Sequence, residues 1–543
     1  MSIAEIFHQI ADAAAKEPLL LLALLLAVGG GIGAIKIRSF SLGPAAVLFT
    51  ALAFSAFDER LKIAREVGIF GLAIFAYVVG IGAGPSFFHA IKTGGRALIS
   101  ILATLLAGAV TTVAAANVLG IHGPLLSGVY AGALTNTPAL AASQQFWDSD
   151  LPTVGYSVTY MFGVLGMLFG AMLALKTKPA TNEVTFEAPD DAPPKLEGTT
   201  VRIDAGNLGT VGSVIEKFDG KLLISRYMRG DSPGHPGEVH IATDDVELLP
   251  GDIVTVIGDE EKVAHFVSIA GHRSTVPLTL DRSTLDYRRI AVSNREIAGI
   301  ALAKLQLDRK FGAIATRVRR GDVDLLATED LILQIGDRVR VVAPRNRMRE
   351  VAAFFGDSEK GAQSFSLTAL AIGLAAGVFL GLLEFPAPGG GQFALGMAGG
   401  PLLMGLILGR IRRTGTMLWS LPPAASITLN HLGMMLFLAY AGSNSGAALA
   451  DAIVKPTGWR LLVIGVVVTM VAAAIQLSLT RVFGGVYGSR LAGVIAGSQT
   501  QPAVLASANA RSGDDPRVNL GYALAYPIAM IAKVLIAPFV GKF

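Results

Sequence analysis

GVYAGALTNTPAL, residues 128–140, sits between two long apolar runs yet carries Thr135, Asn136, Thr137 and Pro138 in succession. A polar turn of this kind survives in hydrocarbon only where protein or a water-filled cavity satisfies its backbone groups. GVIAGSQTQPAVL, residues 493–505, repeats the pattern with Ser498, Gln499, Thr500, Gln501 and Pro502. Two such breaks predict two interrupted helices facing an internal cavity. Pro138 and Pro502 suit the first turn of a resuming helix, and the N–H groups there, at the positive end of the helix dipole, attract carboxylates. The alternative is a pair of plain kinks packed against neighbouring helices.

The surroundings of these breaks are duplicated too. GYSVTYMFGVLGMLFGAML from Gly155 aligns with GYALAYPIAMIAKVLIAPFV from Gly521, setting Tyr156 and Tyr160 against Tyr522 and Tyr526. Each half contains six apolar segments: 18–35, 41–57, 67–88, 97–119, 125–146 and 154–175, then 365–383, 393–409, 424–450, 459–481, 490–508 and 519–540. Most have the roughly 17–25 residues that a helix needs to cross a bilayer core. Internal duplication with interrupted segments is the pattern of many secondary transporters.

The 543 residues are 52% hydrophobic, with a mean hydropathy of +0.55, so the chain is expected to be a polytopic membrane protein. The run from Pro18 to Ile35 lacks a basic leader and an A-x-A cleavage site, and reads as a retained first helix. With no cysteine, disulfides, thiol catalysis and thiolate metal sites are excluded. The pI of about 9.1 reflects loop charges in a membrane protein, not nucleic-acid binding. Five crossings plus one broken or re-entrant segment per half, inverted between halves, place Lys36, Arg38, Arg410, Arg412 and Arg413 inside. The same arrangement leaves the basic residues of 58–66 outside, against the positive-inside tendency.

Acidic residues are unevenly placed: 29 of the 41 lie between Lys176 and Gln363, leaving 12 for the flanks. The division expected is 1–175, an N-terminal transmembrane half; 176–195, a linker; 196–275 and 276–357, two small α+β units; and 358–543, a C-terminal transmembrane half. LLPGDIVTVIGDEEKVAHFVSIAG recurs as LQIGDRVRVVAPRNRMREVAAFFG, matching Gly251-Asp252 with Gly336-Asp337. Both units resemble the TrkA-C subdomain of regulators of conductance, in which a Gly-Asp turn precedes a strand and a helix.

GIGAGPSFFHA, residues 80–90, ends the third segment, and its positional counterpart, 439–450, carries Ser443 and Asn444. Such small residues permit close helix packing or line a pathway. The stretch GAGPSFF fits a G-x-G-P-x-F-F signature at Gly82, Gly84, Pro85, Phe87 and Phe88, with Ser86 between. Together with the order of apolar half, two TrkA-C-like units and apolar half, it closely resembles the aspartate:alanine exchanger family over nearly the whole chain.

That resemblance implies a polytopic α-helical protein of two inverted repeats around a central tandem of TrkA-C-like domains. It implies an antiporter of the bacterial inner membrane, with the central domains cytoplasmic, exchanging aspartate, alanine or a C4 dicarboxylate. Relatives that export succinate-like dicarboxylates leave the substrate open. A ligand-gated ion channel is the alternative of another class, although no T-V-G-Y-G filter is present. A homodimer is expected, and so is a possible small regulatory ligand on the central units. No cofactor, metal or enzymatic activity is expected: the eight histidines, among them His89, His122 and His431, show no metalloenzyme spacing.

Lys533 is the one cation well inside an apolar segment. A charge there costs at least about 2.5–3.5 kcal/mol on insertion scales. Its repeat counterpart is Met167, so the fold's symmetry does not require it. The two readings are a counter-charge to a substrate carboxylate beside the 498–502 break, and a side chain snorkelling to the interface.

Overall fold

The computed structural model describes residues 3–35, 42–177, 196–229, 238–276, 278, 284–320, 323–362, 365–386, 392–513 and 515–543. Lys36, Arg38 and most of the expected linker, from 178 on, lie outside the described residues, as do the side chains of Ser86 and Pro502. The chain forms two compact units: 1–188 with 367–411 and 426–543, and 189–366 with 412–425.

In the first half, α1 (Ile3–Lys16) precedes α2 (Pro18–Ala34), α3 (Ala45–Phe57), α4 (Arg65–Thr93), α5 (Gly95–Leu119), α6 (Pro124–Ala133), α7 (Thr137–Trp147) and α8 (Leu151–Leu175). Both α2 and α3 are apolar on nearly every face, as suits helices whose surroundings are lipid and protein. α4 continues through Pro85 as helix. The fifth apolar segment breaks between α6 and α7, as its composition predicts.

The central unit begins with β1 (Leu196–Ile203), α9 (Val211–Lys217), β2 (Leu222–Met228), β3 (Val239–Ile241), β4 (Ile253–Asp259), α10 (Glu260–Ala270) and β5 (Gly271–Arg273). The order repeats as β6 (Leu285–Ala291), α11 (Leu302–Leu305), α12 (Leu307–Phe311), β7 (Ile314–Arg320), β8 (Val323–Leu326), β9 (Arg338–Pro344), α13 (Met348–Phe355) and α14 (Glu359–Ala362). The sheets run β3-β2-β4-β1-β5 and β6-β9-β7-β8. Read from the other edge, the second order is that of the first four strands, so the two units are copies.

Local chemistry explains the shared Gly-Asp turn. Gly251 and Gly336 adopt φ of 94° and 90°, a region open chiefly to glycine. The following carboxylate folds back on its own turn: Asp252 accepts from Leu249 N at 3.0 Å and Asp337 from Gln334 N at 2.8 Å. Asp337 is buried and also takes both arms of Arg320, at 2.8 and 2.7 Å. Asp337→Ala is expected to destabilise this copy by about 2–3 kcal/mol, since it strands a charged donor and a backbone N–H together. Denaturant unfolding followed by β-sheet circular dichroism measures this; an unchanged midpoint would contradict it.

The second half contains α15 (Leu367–Leu382), β10 (Glu384–Pro386), β11 (Gln392–Ala394), α16 (Gly396–Ile411), β12 (Arg413–Thr414), β13 (Met417–Leu418), α17 (Pro423–Val454), α18 (Pro456–Val482), α19 (Gly488–Ser498), α20 (Pro502–Ser512) and α21 (Pro516–Val540). Among the described residues six helices are long and apolar enough to cross a membrane: three from each half, α4, α5, α8 and α17, α18, α21. α2, α3, α15 and α16 are shorter apolar helices. The halves therefore repeat one order: two shorter helices, two long ones, a broken one and a long one.

They also interlock reciprocally. Gly84 of α4 lies so close to α16 that an added Cβ would sit 2.5 Å from the Leu406 carbonyl oxygen. Gly442 of α17 meets Leu48 of α3 in the same way, at 2.6 Å. Each half's first long helix thus packs on the other half's second shorter helix, with glycines supplying the close approach.

Candidate functional site

The two breaks share one backbone solution. Thr135 and Thr500 occupy equivalent positions, and both adopt left-handed φ, 51° and 56°. For a β-branched residue this is a strained conformation that its surroundings must hold, and such strain is concentrated at functional positions. The next residue is extended and caps the resuming helix: the Asn136 side chain accepts from Ala139 N at 2.7 Å, and the Gln501 side chain from Ala503 N at 3.4 Å. Thr137 and Pro138 open α7, whereas Pro502 opens α20.

The fold brings the breaks into direct contact. Thr135 Oγ1 donates to the Gln499 carbonyl at 2.7 Å, and Asn136 Nδ2 lies 3.3 Å from Thr500 Oγ1. Tyrosines of α8 brace both: Tyr156 pairs with Thr137 at 3.0 Å, and the Tyr160 hydroxyl accepts from Gln501 Nε2 at 2.8 Å. Thr135, Asn136, Thr137, Ser498, Gln499 and Gln501 are all buried. Ser498 bonds within its own helix, to the Ile495 carbonyl.

Lys533 enters this cluster from α21. It is 0% exposed, so it does not snorkel to an interface. Its Nζ donates to the Leu134 carbonyl at 2.7 Å and reaches Thr500 Oγ1 at 3.4 Å. The Leu134 carbonyl closes α6, at the negative end of that helix dipole, which favours an ammonium. The lysine therefore touches both breaks. Among the described residues no ion pair includes it, so two helix N-termini and a buried cation converge where an anionic group is electrostatically favoured.

The other expected residues lie elsewhere. Gly82, Gly84, Pro85, Phe87 and Phe88 sit on α4; Gly84 packs on α16, and the Phe87 and Phe88 rings stack edge to face at 5.1 Å. Ser443 and Asn444 grip the loop before α4: Ser443 Oγ accepts from Ile63 N at 3.0 Å, and Asn444 Nδ2 donates to the Ile63 carbonyl at 3.0 Å.

Two cavities flank α7 beyond its break. One, of about 190 Å³, is lined by Arg65, Gln144, Asp148, Asp150 and Tyr440 among others; the other, of about 240 Å³, by Gln145, Glu384 and Val534 among others. Burial pushes the Asp150 carboxyl up from its ordinary range, against the opposing hydrogen bond from Gln144 and the charges of Arg65 and Lys62. In the sequence Tyr156 and Tyr160 stand only as marks of duplication, and nothing there singles out Met530, whose Sδ lies 3.3 Å from Asn136 Nδ2. Their spacing of four on one helix face was the available signal for the tyrosines.

A family model described as a predicted permease membrane region, Asp-Al_Ex, matches residues 21–176 and 369–542. The chain belongs to this permease family. A TrkA-C domain model matches residues 287–356 of the permease, the second of its two central copies. It is 41% identical to an uncharacterized transporter of Geobacter sulfurreducens over 96% of this chain and 97% of that one. It is 37% identical to an uncharacterized transporter of Corynebacterium diphtheriae (97% and 99%) and 36% identical to one of Symbiobacterium thermophilum (97% and 99%). No solved structure matches. The permease is a multi-pass membrane transporter.

Proposed function

We propose that this transporter is a secondary antiporter of the bacterial inner membrane, working by alternating access. Its substrates are carboxylate-bearing amino acids or C4 dicarboxylates, with aspartate for alanine as the type exchange. The observation that carries the reading is the meeting of the two breaks, from opposite halves, at the buried Lys533, which bonds Leu134 of one and Thr500 of the other. Dicarboxylate export, with succinate as the test substrate, is the nearest alternative and uses the same site.

The reciprocal packing of α4 on α16 and α17 on α3 supports halves related by an approximate two-fold axis and inverted in the membrane, the arrangement in which one half rocks against the other. A ligand-gated channel is disfavoured because the polar residues of the breaks are buried against each other instead of lining an open pore. The central copies face the cytoplasm in this reading, and the protein is a homodimer.

Counterflow in proteoliposomes tests the assignment. Aspartate-loaded vesicles are expected to take up labelled aspartate, alanine or succinate well above empty vesicles. Uptake of none of the three would reject antiport of this class.

A further inference from the structure

The central unit contains a row of like charges that the transport reading does not use. In the second TrkA-C copy, Arg289 of β6 pairs directly with Arg340 of β9, and Arg340 pairs directly with Arg317 of β7. Residues directly opposite in adjacent antiparallel strands place their side chains on one face, and like charges in such positions destabilise a sheet. Among the described residues no ion pair includes any of the three. Burial, the charge of Arg340 and that of Arg289 all hold the Arg317 guanidinium below the ordinary arginine range, against the attraction of Asp324.

The row runs into the layer between the two sheets. Arg340 shares its face with Val342, which packs with Ile253 of the first copy. Arg317 reaches across that layer: an ideal Cβ at Gly198 of β1 would lie 3.2 Å from its Nη2. Among the described residues, Arg317 Nε and Thr255 Oγ1 are polar atoms buried in this layer without a hydrogen-bond partner. Thr255 is only 4% exposed and alternates with Ile253 onto the same inter-sheet face.

Tyr287 adds an aromatic wall, with the Arg340 guanidinium 4.3 Å from its ring centre. Arg289, at the other end of the row, is exposed. Strands lie about 4.8 Å apart, so three strands spread the guanidinium groups over roughly 10 Å. That matches a chain of two or three phosphates better than a single small anion, and guanidinium forks bind phosphate oxygens in pairs.

We propose that the Arg289–Arg340–Arg317 row binds a small molecule bearing two or more linked phosphates, held between the two TrkA-C copies. Its phosphates would neutralise the mutual repulsion of the row, and donor and acceptor atoms without partners, Arg317 Nε and Thr255 Oγ1, lie within reach of the same layer. The proposal does not depend on what the membrane halves carry.

The test is calorimetric titration of the purified full-length chain in detergent with inorganic pyrophosphate. Saturable binding is expected, weakened at least about tenfold in Arg340→Gln and in Arg317→Gln, as removal of one charge-assisted contact predicts. Arg273→Gln, which removes an exposed arginine paired with Glu197, is expected to bind as the parent does. Without pyrophosphate, Arg340→Gln is expected to melt at the parent's temperature or above, because repulsion is relieved; a structural arginine would give the opposite. The proposal is overturned by no saturable binding in the parent, by undiminished binding in both row variants, by an equal loss in Arg273→Gln, or by a lowered melting temperature of Arg340→Gln. Failure of counterflow alongside normal pyrophosphate binding would reject only the transport assignment.

Discussion

Lys533→Met is expected to raise the KM for aspartate and succinate at least about tenfold while changing alanine much less, since a lost charge-assisted hydrogen bond is worth about 1.5–3 kcal/mol. Only the first two substrates carry a second carboxylate for the ammonium to meet. In the structure the ammonium is held by a helix-ending carbonyl at 2.7 Å and a threonine hydroxyl at 3.4 Å. Neither partner is charged, so a substrate carboxylate that displaces them forms an ion pair with Lys533 in a site remote from water. Methionine already occupies the equivalent position of the first half, Met167, and is buried there, so the substitution suits such a helix. Counterflow with each labelled substrate over a concentration series measures the effect. A uniform loss for all three, or none, would assign Lys533 to fastening α6 against α20 instead of recognising substrate.

Asn136→Leu should reduce exchange of every substrate to the level of empty vesicles while the protein still inserts and purifies as the parent does. One side chain performs two tasks at this position. Its oxygen caps α7, at 2.7 Å from Ala139 N, and its amide reaches Thr500 of the other break at 3.3 Å. Losing the cap costs about 0.5–2 kcal/mol, and a leucine at this fully buried position takes the amide donor away from Thr500 Oγ1, leaving Lys533 Nζ to donate to it. Asn136→Asp separates the tasks, since it keeps the cap but loses the donor and adds a charge near Lys533. Parental exchange by purified Asn136→Leu would sink the placement of the site.

The breaks were legible because their chemistry is local. Proline lacks an N–H, and threonine and asparagine side chains compete for backbone groups, so a polar run ending in proline, T-N-T-P or S-Q-T-Q-P, favours a helix end followed by a new first turn. Recurrence of the Gly-Asp turn exposed the tandem in the centre for a similar reason: the carboxylate bonds to an N–H only three residues away. The G-x-G-P-x-F-F stretch was less decisive. Its composition suits packing and pathway lining equally, and only the approach of Gly84 to Leu406 reveals the close contact with α16.

The row of arginines was invisible along the chain, because Arg289, Arg317 and Arg340 become neighbours only through strand register, including the irregularity between Ala315 and Arg317. The sequence by itself determined the membrane class, the duplication, the two interruptions and the paired central copies, since each depends on hydropathy or on contacts within a few residues. Only the tertiary structure decided that the two interruptions touch, that Tyr156 and Tyr160 brace them, and that Lys533 turns inward to both. The contacts that join the halves, Thr135 to Gln499, Tyr160 to Gln501 and Lys533 to Leu134, link residues 364, 341 and 399 positions apart, and their geometry follows from how helices of the two halves cross, which no local pattern encodes.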